Sequence, residues 1–150
     1  MTPSAKSLWE DYRRLHPDAP ELPYESFHFC DNREDADICA DLVVRGIKRA
    51  TAASVAELER AGMRQPVVGD LSVVTDWAGT ACAIILTTRI RLLRFDDVDA
   101  AFAQREGEGD KSLQNWRETH QAYYRRVLEG SGIPVDGDLM IVCEEFERVL

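Results

Sequence analysis

The segment Arg45–Thr51, Arg-Gly-Ile-Lys-Arg-Ala-Thr, carries residue types well suited to chemistry. Lys48 and Thr51 are three residues apart. An ammonium and a hydroxyl could therefore act on one ligand if the backbone curls. Gly46 predicts the end of a helix, because a left-handed position beyond a helix terminus is least costly without a Cβ. Functional groups are often displayed on such turns, although a solvated loop would have the same composition.

A second candidate is the loop Arg105–Asp110, in which two glycines separate three carboxylates. Glycine lets a backbone approach a ligand closely, so Glu106, Glu108 and Asp110 are candidates for binding or acid–base chemistry. Such charge density is also typical of a solvated face. The carboxylates would suit a hard cation, but no histidine or further carboxylate stands at a suitable spacing. We therefore expect no metal and no other cofactor.

Hydrophobic periodicity predicts five helices and four strands around these two segments. The helices cover 7–16, 32–46, 53–61, 96–105 and 112–129, and the strands cover 27–29, 71–75, 81–93 and 139–149. Strands 71–75 and 81–93 should form a hairpin. No β-α-β alternation recurs, and neither a G-x-G-x-x-G motif nor a P-loop is present. The pattern favours an α+β fold with a mostly antiparallel curved sheet and helices packed on it.

The bulk properties limit the classes of function. The chain has 150 residues and a formal net charge of −9, which predicts one domain that is not a general nucleic-acid binder. A nucleic-acid role would require a local basic patch such as Arg45, Lys48 and Arg49. There is no apolar run of about 18 residues, no signal peptide and no C-x-x-C pair among the four cysteines. We expect a cytoplasmic protein without a membrane partner, whose cysteines are buried and structural.

An ordered set of landmarks makes the chain similar to a known family. They are Gly46–Thr51, Val68-Gly69-Asp70, Glu106–Leu113, Trp116-Arg117, His120, and Val142-Cys143-Glu144 with Phe146. This set resembles the ASCH domain, in the longer bacterial branch of that family, from roughly Phe27 to the C-terminus. The resemblance implies a single domain over residues 1–150, with helix 7–16 as an extension. It also implies a PUA-like fold, a curved, mostly antiparallel β-barrel with flanking helices.

The resemblance further implies a cleft that binds RNA or a modified nucleoside. Characterised relatives include bacterial amidohydrolases that remove the acetyl group from N4-acetylcytidine. Their catalytic lysine, threonine and glutamate would fall on Lys48, Thr51 and either Glu108 or Glu106. Another relative looks like a ribonuclease, and a non-catalytic RNA-binding or nucleotide-binding module and a ligand sensor remain alternatives. The expected substrate-binding residues are Arg45, Gly46, Arg49, Asp110, Trp116 and His120.

For deacetylation, Thr51 would attack the amide carbonyl and Lys48 would activate the hydroxyl. A lysine can act as a base only if burial or a nearby cation lowers its pKa, and Arg45 and Arg49 could supply that cation. A carboxylate close by would oppose the shift. Glu108 is therefore expected to be protonated, or to donate a proton to the leaving amine. For RNA cleavage, Lys48 would stay charged and stabilise the transition state. The net acidity favours a small nucleoside over extended RNA.

Overall fold

The computed structural model describes residues 1–150 and contains one five-stranded sheet and five α-helices. The strands are β1 (Glu25–Phe27), β2 (Ala50–Ser54), β3 (Leu71–Thr75), β4 (Ala81–Arg94) and β5 (Met140–Arg148). The helices are α1 (Pro3–Leu15), α2 (Arg33–Val44), α3 (Val55–Arg60), α4 (Ala100–Glu106) and α5 (Leu113–Val127). Not one of these helices combines the length and the apolar character that crossing a membrane requires.

The strands form a single sheet in the order β1-β3-β4-β5-β2, and every neighbouring pair is antiparallel except β1 with β3. The first part of β4 pairs with β3, and the longer part that continues to Arg94 pairs with β5. The register shifts between Thr87 and Arg89, and such an irregularity bends a strand and increases its twist. The sheet curls into a half-barrel. The expected α+β class and the hairpin of β3 with β4 are confirmed.

Strand β2 shows that the prediction of a helix over 53–61 was wrong at its start. Ala50–Ser54 is rich in alanine and has little intrinsic strand preference. It is held as a strand by antiparallel pairing with β5, which lies far away in the sequence. Helix α3 begins after Ser54, which forms a capping box with Glu57. As a consequence, Thr51 lies on a strand and not on the turn that follows Gly46.

Other predicted boundaries shift for local reasons. Helix α1 begins at Pro3 instead of residue 7, because Thr2 caps it and proline fits the first helical position. The predicted helix 96–105 is divided into a 3-10 turn and α4, which is capped by Asp99. Strand β1 lies two residues earlier than predicted, alongside β3. Asn32 and Ser112, the first residues of two predicted helices, cap α2 and α5 with their side chains.

Three buried apolar clusters fix the helices on the sheet. Helices α4 and α5 pack against β5 through residues that include Phe102, Trp116, Tyr124 and Ile141. Helix α2 contributes Cys39, Ala40 and Val43 to a cluster with Phe29 and Phe146, and α1 places Trp9 and Tyr12 against Val73 and Ile84. Helices α2 and α5 are therefore anchored on separate clusters, and a cavity remains between them.

Candidate active site

A cavity of about 1140 Å³ lies between helices α2, α3 and α5 and the strands β1, β2 and β5. It is slightly larger than the range of about 300–1,000 Å³ that is usual for small-molecule sites. Three of the residues predicted as catalytic or binding line it, namely Thr51, Glu108 and His120. The charged side chains in its wall are six carboxylates and two arginines: Glu25, Asp31, Asp35, Glu57, Glu108, Glu144, Arg60 and Arg126.

Lys48 lies behind the cavity wall, and its side chain is only 1% exposed. Its Nζ donates to the carbonyl oxygen of Ala50 at 2.8 Å and lies 3.0 Å from Oε1 of Glu108. Oε2 of Glu106 is 3.8 Å away. The ammonium also lies 4.9 Å from the centre of the Phe29 ring, within cation–π range. Lys48 thus reaches the cavity only through its partner Glu108.

The electrostatic surroundings keep Lys48 protonated. Burial lowers the pKa of Lys48, but the carboxylates of Glu108 and Glu106 more than reverse this effect, and its pKa lies above the ordinary value. Arg45 and Arg49, which were expected to lower the pKa, are exposed at the surface. These surroundings disfavour the predicted role of Lys48 as a base, because an ammonium cannot accept a proton.

Glu108 faces the cavity as a carboxylate and not as the protonated group that was expected. Its Oε1 accepts hydrogen bonds from Nζ of Lys48 and from Sγ of Cys39, the latter at 2.9 Å. Burial raises the pKa of Glu108. The ammonium of Lys48 and the hydrogen bond from Cys39 lower it by more, so that the pKa lies at about 2. At neutral pH the cavity wall therefore contains an ionised Glu108 that is paired with the Lys48 ammonium.

A glycine places Glu108 beside the lysine. Gly107 follows α4 with a φ of 70°, a left-handed conformation that glycine adopts without strain. A Cβ at this position would lie 2.7 Å from the backbone oxygen of Ile47, immediately before Lys48 in the chain. The close approach of the two backbones is what brings the acidic loop and the Gly46–Thr51 segment together.

Glu106 forms a second buried pair behind the wall. Its Oε2 lies 3.1 Å from Nε2 of His120, and Nδ1 of that histidine lies 2.8 Å from the backbone oxygen of Trp116. Nδ1 must therefore donate to Trp116, which directs Nε2 at Glu106. Burial lowers the pKa of His120, but Glu106 raises it above the ordinary value. His120 lines the cavity, whereas Glu106 does not.

The other predicted binding residues are not in the cavity wall. Arg45 and Gly46 end α2, and Arg49 is exposed. Asp110 is exposed, and it accepts a hydrogen bond from the backbone amide at the start of α5. Trp116 is 3% exposed and belongs to the core. The family resemblance suggested these residues, but helix ends and core packing account for their positions.

Several residues of the cavity were missed by the sequence analysis. Glu144 lies on β5 directly opposite Thr51 on β2, so both side chains are on one face of the sheet. The hydroxyl of Thr87 donates to Oε1 of Glu144 at 2.6 Å. Burial raises the pKa of Glu144. Burial and the charge of Glu144 together raise the pKa of Glu25 to about 7. The available signal for Glu144 was a carboxylate directly after the apolar run Met140–Cys143.

Two groups of side chains have the proximity that a metal ion requires. They are Cys30 with Cys39 and Glu108, and Glu106 with Glu108 and His120. Both sets depend on Glu108, which already binds the Lys48 ammonium at 3.0 Å. A second cation at that carboxylate would be repelled by the lysine, so the geometry suits an ion pair better than a metal centre.

Comparisons with known proteins agree with this architecture. A model of the ASCH domain matches residues 25–150. The chain is 34% identical to an ASCH domain from Lactobacillus crispatus JV V101, covering 99% of this chain and 96% of that one, with a TM-score of 0.88. It is 27% identical to a protein from Enterococcus faecalis V583, covering 99% and 90%, also with a TM-score of 0.88. A hypothetical protein at 16% identity, with a TM-score of 0.53 over 83% of this chain and 96% of that one, shares the fold alone. The comparison with curated proteins gave no match.

Proposed function

The chain belongs to the ASCH domain family, whose PUA-like fold is an RNA-binding fold, and from that premise we propose that it is a hydrolase of small N-acylated pyrimidine nucleosides such as N4-acetylcytidine. The observation that carries the proposal is the buried ion pair of Lys48 and Glu108 at the wall of a cavity that Thr51 also lines. A nucleophile in the wall of a cavity is the first requirement of acyl transfer, and an ionised Glu108 beside it can orient the substrate amide.

The proposed reaction is an amide hydrolysis through an acyl-enzyme. Oγ1 of Thr51 attacks the acetyl carbonyl, the C–N bond breaks, and water then releases acetate from the threonine. Glu108 accepts a hydrogen bond from the amide N–H of the substrate and so orients the carbonyl. Lys48 does not touch the substrate, and it acts as a positioning residue that holds Glu108 in its ionised form.

The charge of the cavity supports an uncharged substrate. Six carboxylates and two arginines line it, and the whole chain has a formal net charge of −9. A phosphate chain would be repelled by such a surface, since binding to phosphates depends on local positive charge. A nucleoside carries no phosphate, and its amide and hydroxyl groups can donate hydrogen bonds to carboxylates. The proposal therefore places free nucleosides ahead of RNA.

The test is incubation of the purified protein with N4-acetylcytidine, with release of cytidine followed by chromatography. Thr51→Val removes the nucleophile with little change of shape, and Glu108→Gln removes the charge. Each variant is expected to lose at least about 100-fold in kcat/KM, within the range for a lost catalytic group. Arg49→Met is the matched control, because this exposed neighbour should leave turnover unchanged. A wild-type protein without turnover, or an active Thr51→Val variant, would overturn the proposal.

Binding of RNA without catalysis is a second candidate, and the RNA-binding character of the fold favours it. Arg60 and Arg126 are the cations at the cavity that could contact a phosphate. If this candidate is correct, a short single-stranded RNA should bind with an affinity that falls steeply with salt, and Arg126→Ala should reduce the salt slope. A ribonuclease that uses Lys48 on phosphate is disfavoured, because this side chain is buried behind the wall.

A further inference from the structure

We propose that Glu144 is the catalytic base that accepts the proton of the Thr51 hydroxyl; this assignment rests on the nucleophile of the proposed function. The reaction needs such a base because a neutral threonine is a weak nucleophile. Lys48 cannot serve, since its ammonium is held by two carboxylates.

The register of the sheet places Glu144 beside Thr51. The two residues are direct partners in the antiparallel pairing of β2 with β5, which brings their Cβ atoms to about 4.5–5.5 Å. Both line the cavity. The diagonal neighbours of Thr51 on β5 are Val142 and Phe146, which are apolar. Strand β2 is at the edge of the sheet, so β5 is the only strand that pairs with it.

Strand β4, which pairs with β5 on the side away from β2, holds the carboxylate of Glu144 in place. Thr87 is 1% exposed, and its hydroxyl donates to Oε1 of Glu144 at 2.6 Å. This bond occupies one oxygen and limits rotation of the side chain. The second oxygen, Oε2, remains available to Thr51. Thr87 is thus a positioning residue for the proposed base.

The surroundings of Glu144 make it a stronger base than an exposed glutamate. Burial and the charge of Asp70 raise the pKa of Glu144, whereas the hydrogen bond from Thr87 and the charge of Lys48 lower it. Burial is the largest effect, and the pKa lies above the ordinary value. Glu25 faces it from β1, with a pKa raised to about 7 by burial and by Glu144. A carboxylate whose pKa moves towards neutrality is better matched to proton transfer at neutral pH. Activity that depends on this base should fall as the pH drops through the pKa of Glu144, above the ordinary value of 4.5.

The proton balance closes with one carboxyl group. As the bond from Oγ1 of Thr51 to the acyl carbon forms, its proton moves to Oε2 of Glu144 and the carbonyl electron pair moves to oxygen. When the C–N bond breaks, the same proton passes to the leaving nitrogen. Glu144 then takes a proton from the attacking water and returns it to Thr51 as acetate leaves. The sum is amide plus water giving amine plus carboxylic acid.

The test uses p-nitrophenyl acetate, whose leaving group needs neither a proton nor nucleoside recognition. Wild type, Thr51→Val, Glu144→Gln, Glu144→Asp and Thr87→Val are compared for nitrophenolate release between pH 4 and 9, with acetylation of Thr51 checked by peptide mass spectrometry. Glu147→Gln, at an exposed position of the same strand, is the control. Glu144→Gln is expected to slow acylation about 100-fold and to abolish the loss of rate at low pH.

Two variants separate the role in catalysis from a role in folding. Glu144→Asp keeps a carboxylate, so its rate should be reduced and should still fall at low pH. Thr87→Val should also lower the rate, and the fall at low pH should remain. If Glu144→Gln is folded and reproduces the wild-type rate and pH profile while Thr51→Val is inactive, the assignment of the base is overturned.

The proposed substrate and the proposed base can fail separately. If wild type is acetylated at Thr51 with the expected dependence on Glu144 but leaves N4-acetylcytidine unchanged, the substrate is wrong and the base is supported. If the wild type is not acetylated by p-nitrophenyl acetate and also leaves N4-acetylcytidine unchanged, the nucleophile is wrong, and the base assignment falls with it.

Discussion

Replacing Lys48 by methionine removes a buried charge while nearly conserving the length of the side chain. Glu108 and Glu106 would then lose their common cation, although both remain largely or fully shielded from water. We expect Lys48→Met to be markedly less stable than wild type at neutral pH. Removing one member of a buried ion pair typically costs about 3–5 kcal/mol, because the other charge is left without compensation.

The pKa of Glu108 describes the same interaction and gives a magnitude of the same order. A shift from 4.5 to about 2 corresponds to about 3 kcal/mol of net stabilisation of the carboxylate at neutral pH. Because this pKa is lowered in the folded state, the contribution is fully present above pH 4.5 and is lost as the pH falls through about 2. A measurement at pH 7 therefore detects the whole effect, and the difference between wild type and variant should shrink on acidification.

Urea denaturation at pH 7, followed by circular dichroism, measures this difference in the free energy of unfolding. Arg49→Met is the matched control, and as an exposed change it should stay within about 0.5 kcal/mol of wild type. The double variant Lys48→Met, Glu108→Gln should recover part of the loss, because the uncompensated charge is gone. A Lys48→Met variant within 1 kcal/mol of wild type would refute the argument that this pair is buried and strongly coupled.

Three further predictions concern the residues around this pair. Gly107→Ala should destabilise the fold by at least about 1–2 kcal/mol in thermal melts, since the added Cβ would meet the backbone oxygen of Ile47; a neutral effect would show that the two backbones are not in contact. The pKa of the His120 imidazole, measured by NMR, should lie above 6.5. The charged imidazole therefore stabilises the fold fully below pH 6.5, and this contribution is lost as the pH rises through the pKa of the folded state. Glu106→Gln should bring that titration down, and an unchanged midpoint would contradict the pairing. Cys39→Ala should reduce kcat/KM for the acylated nucleoside several-fold, whereas Cys39→Ser, which keeps a donor, should reduce it less; equal activity of the two variants would argue against the thiol bond.

The sequence predicted the order of most elements, because their signals are local. Asn32 and Ser112 cap their helices as their side chains suggest, and the strands β3 and β4 are rich in β-branched residues joined by a turn. Strand β2 could not be predicted in this way. Its residues are mostly alanine, and they are extended only because β5 supplies the partner.

The candidate site was predicted in part for the same reason. Lys48, Thr51 and Glu108 stand in recognisable local motifs, although the contacts of Lys48 with Glu106 and Glu108, which raise its pKa, depend on packing between distant segments. Glu144 and Glu25 are contributed by strands at opposite ends of the chain. Their meeting with Thr51 around one cavity is a property of the curled sheet, and no spacing in the sequence encodes it.

The position of β5 has a consequence for synthesis on the ribosome. This strand is the last element of the fold to be translated, yet it lies between β4 and β2 in the sheet. Until Met140–Arg148 has left the exit tunnel, β2 has no strand to pair with and Thr51 lacks its partner Glu144. A nascent chain can thus hold the Lys48 segment and the acidic loop without forming the cavity. Premature termination before residue 140 would yield a protein that lacks the site, so the site can form only after β5 has been made.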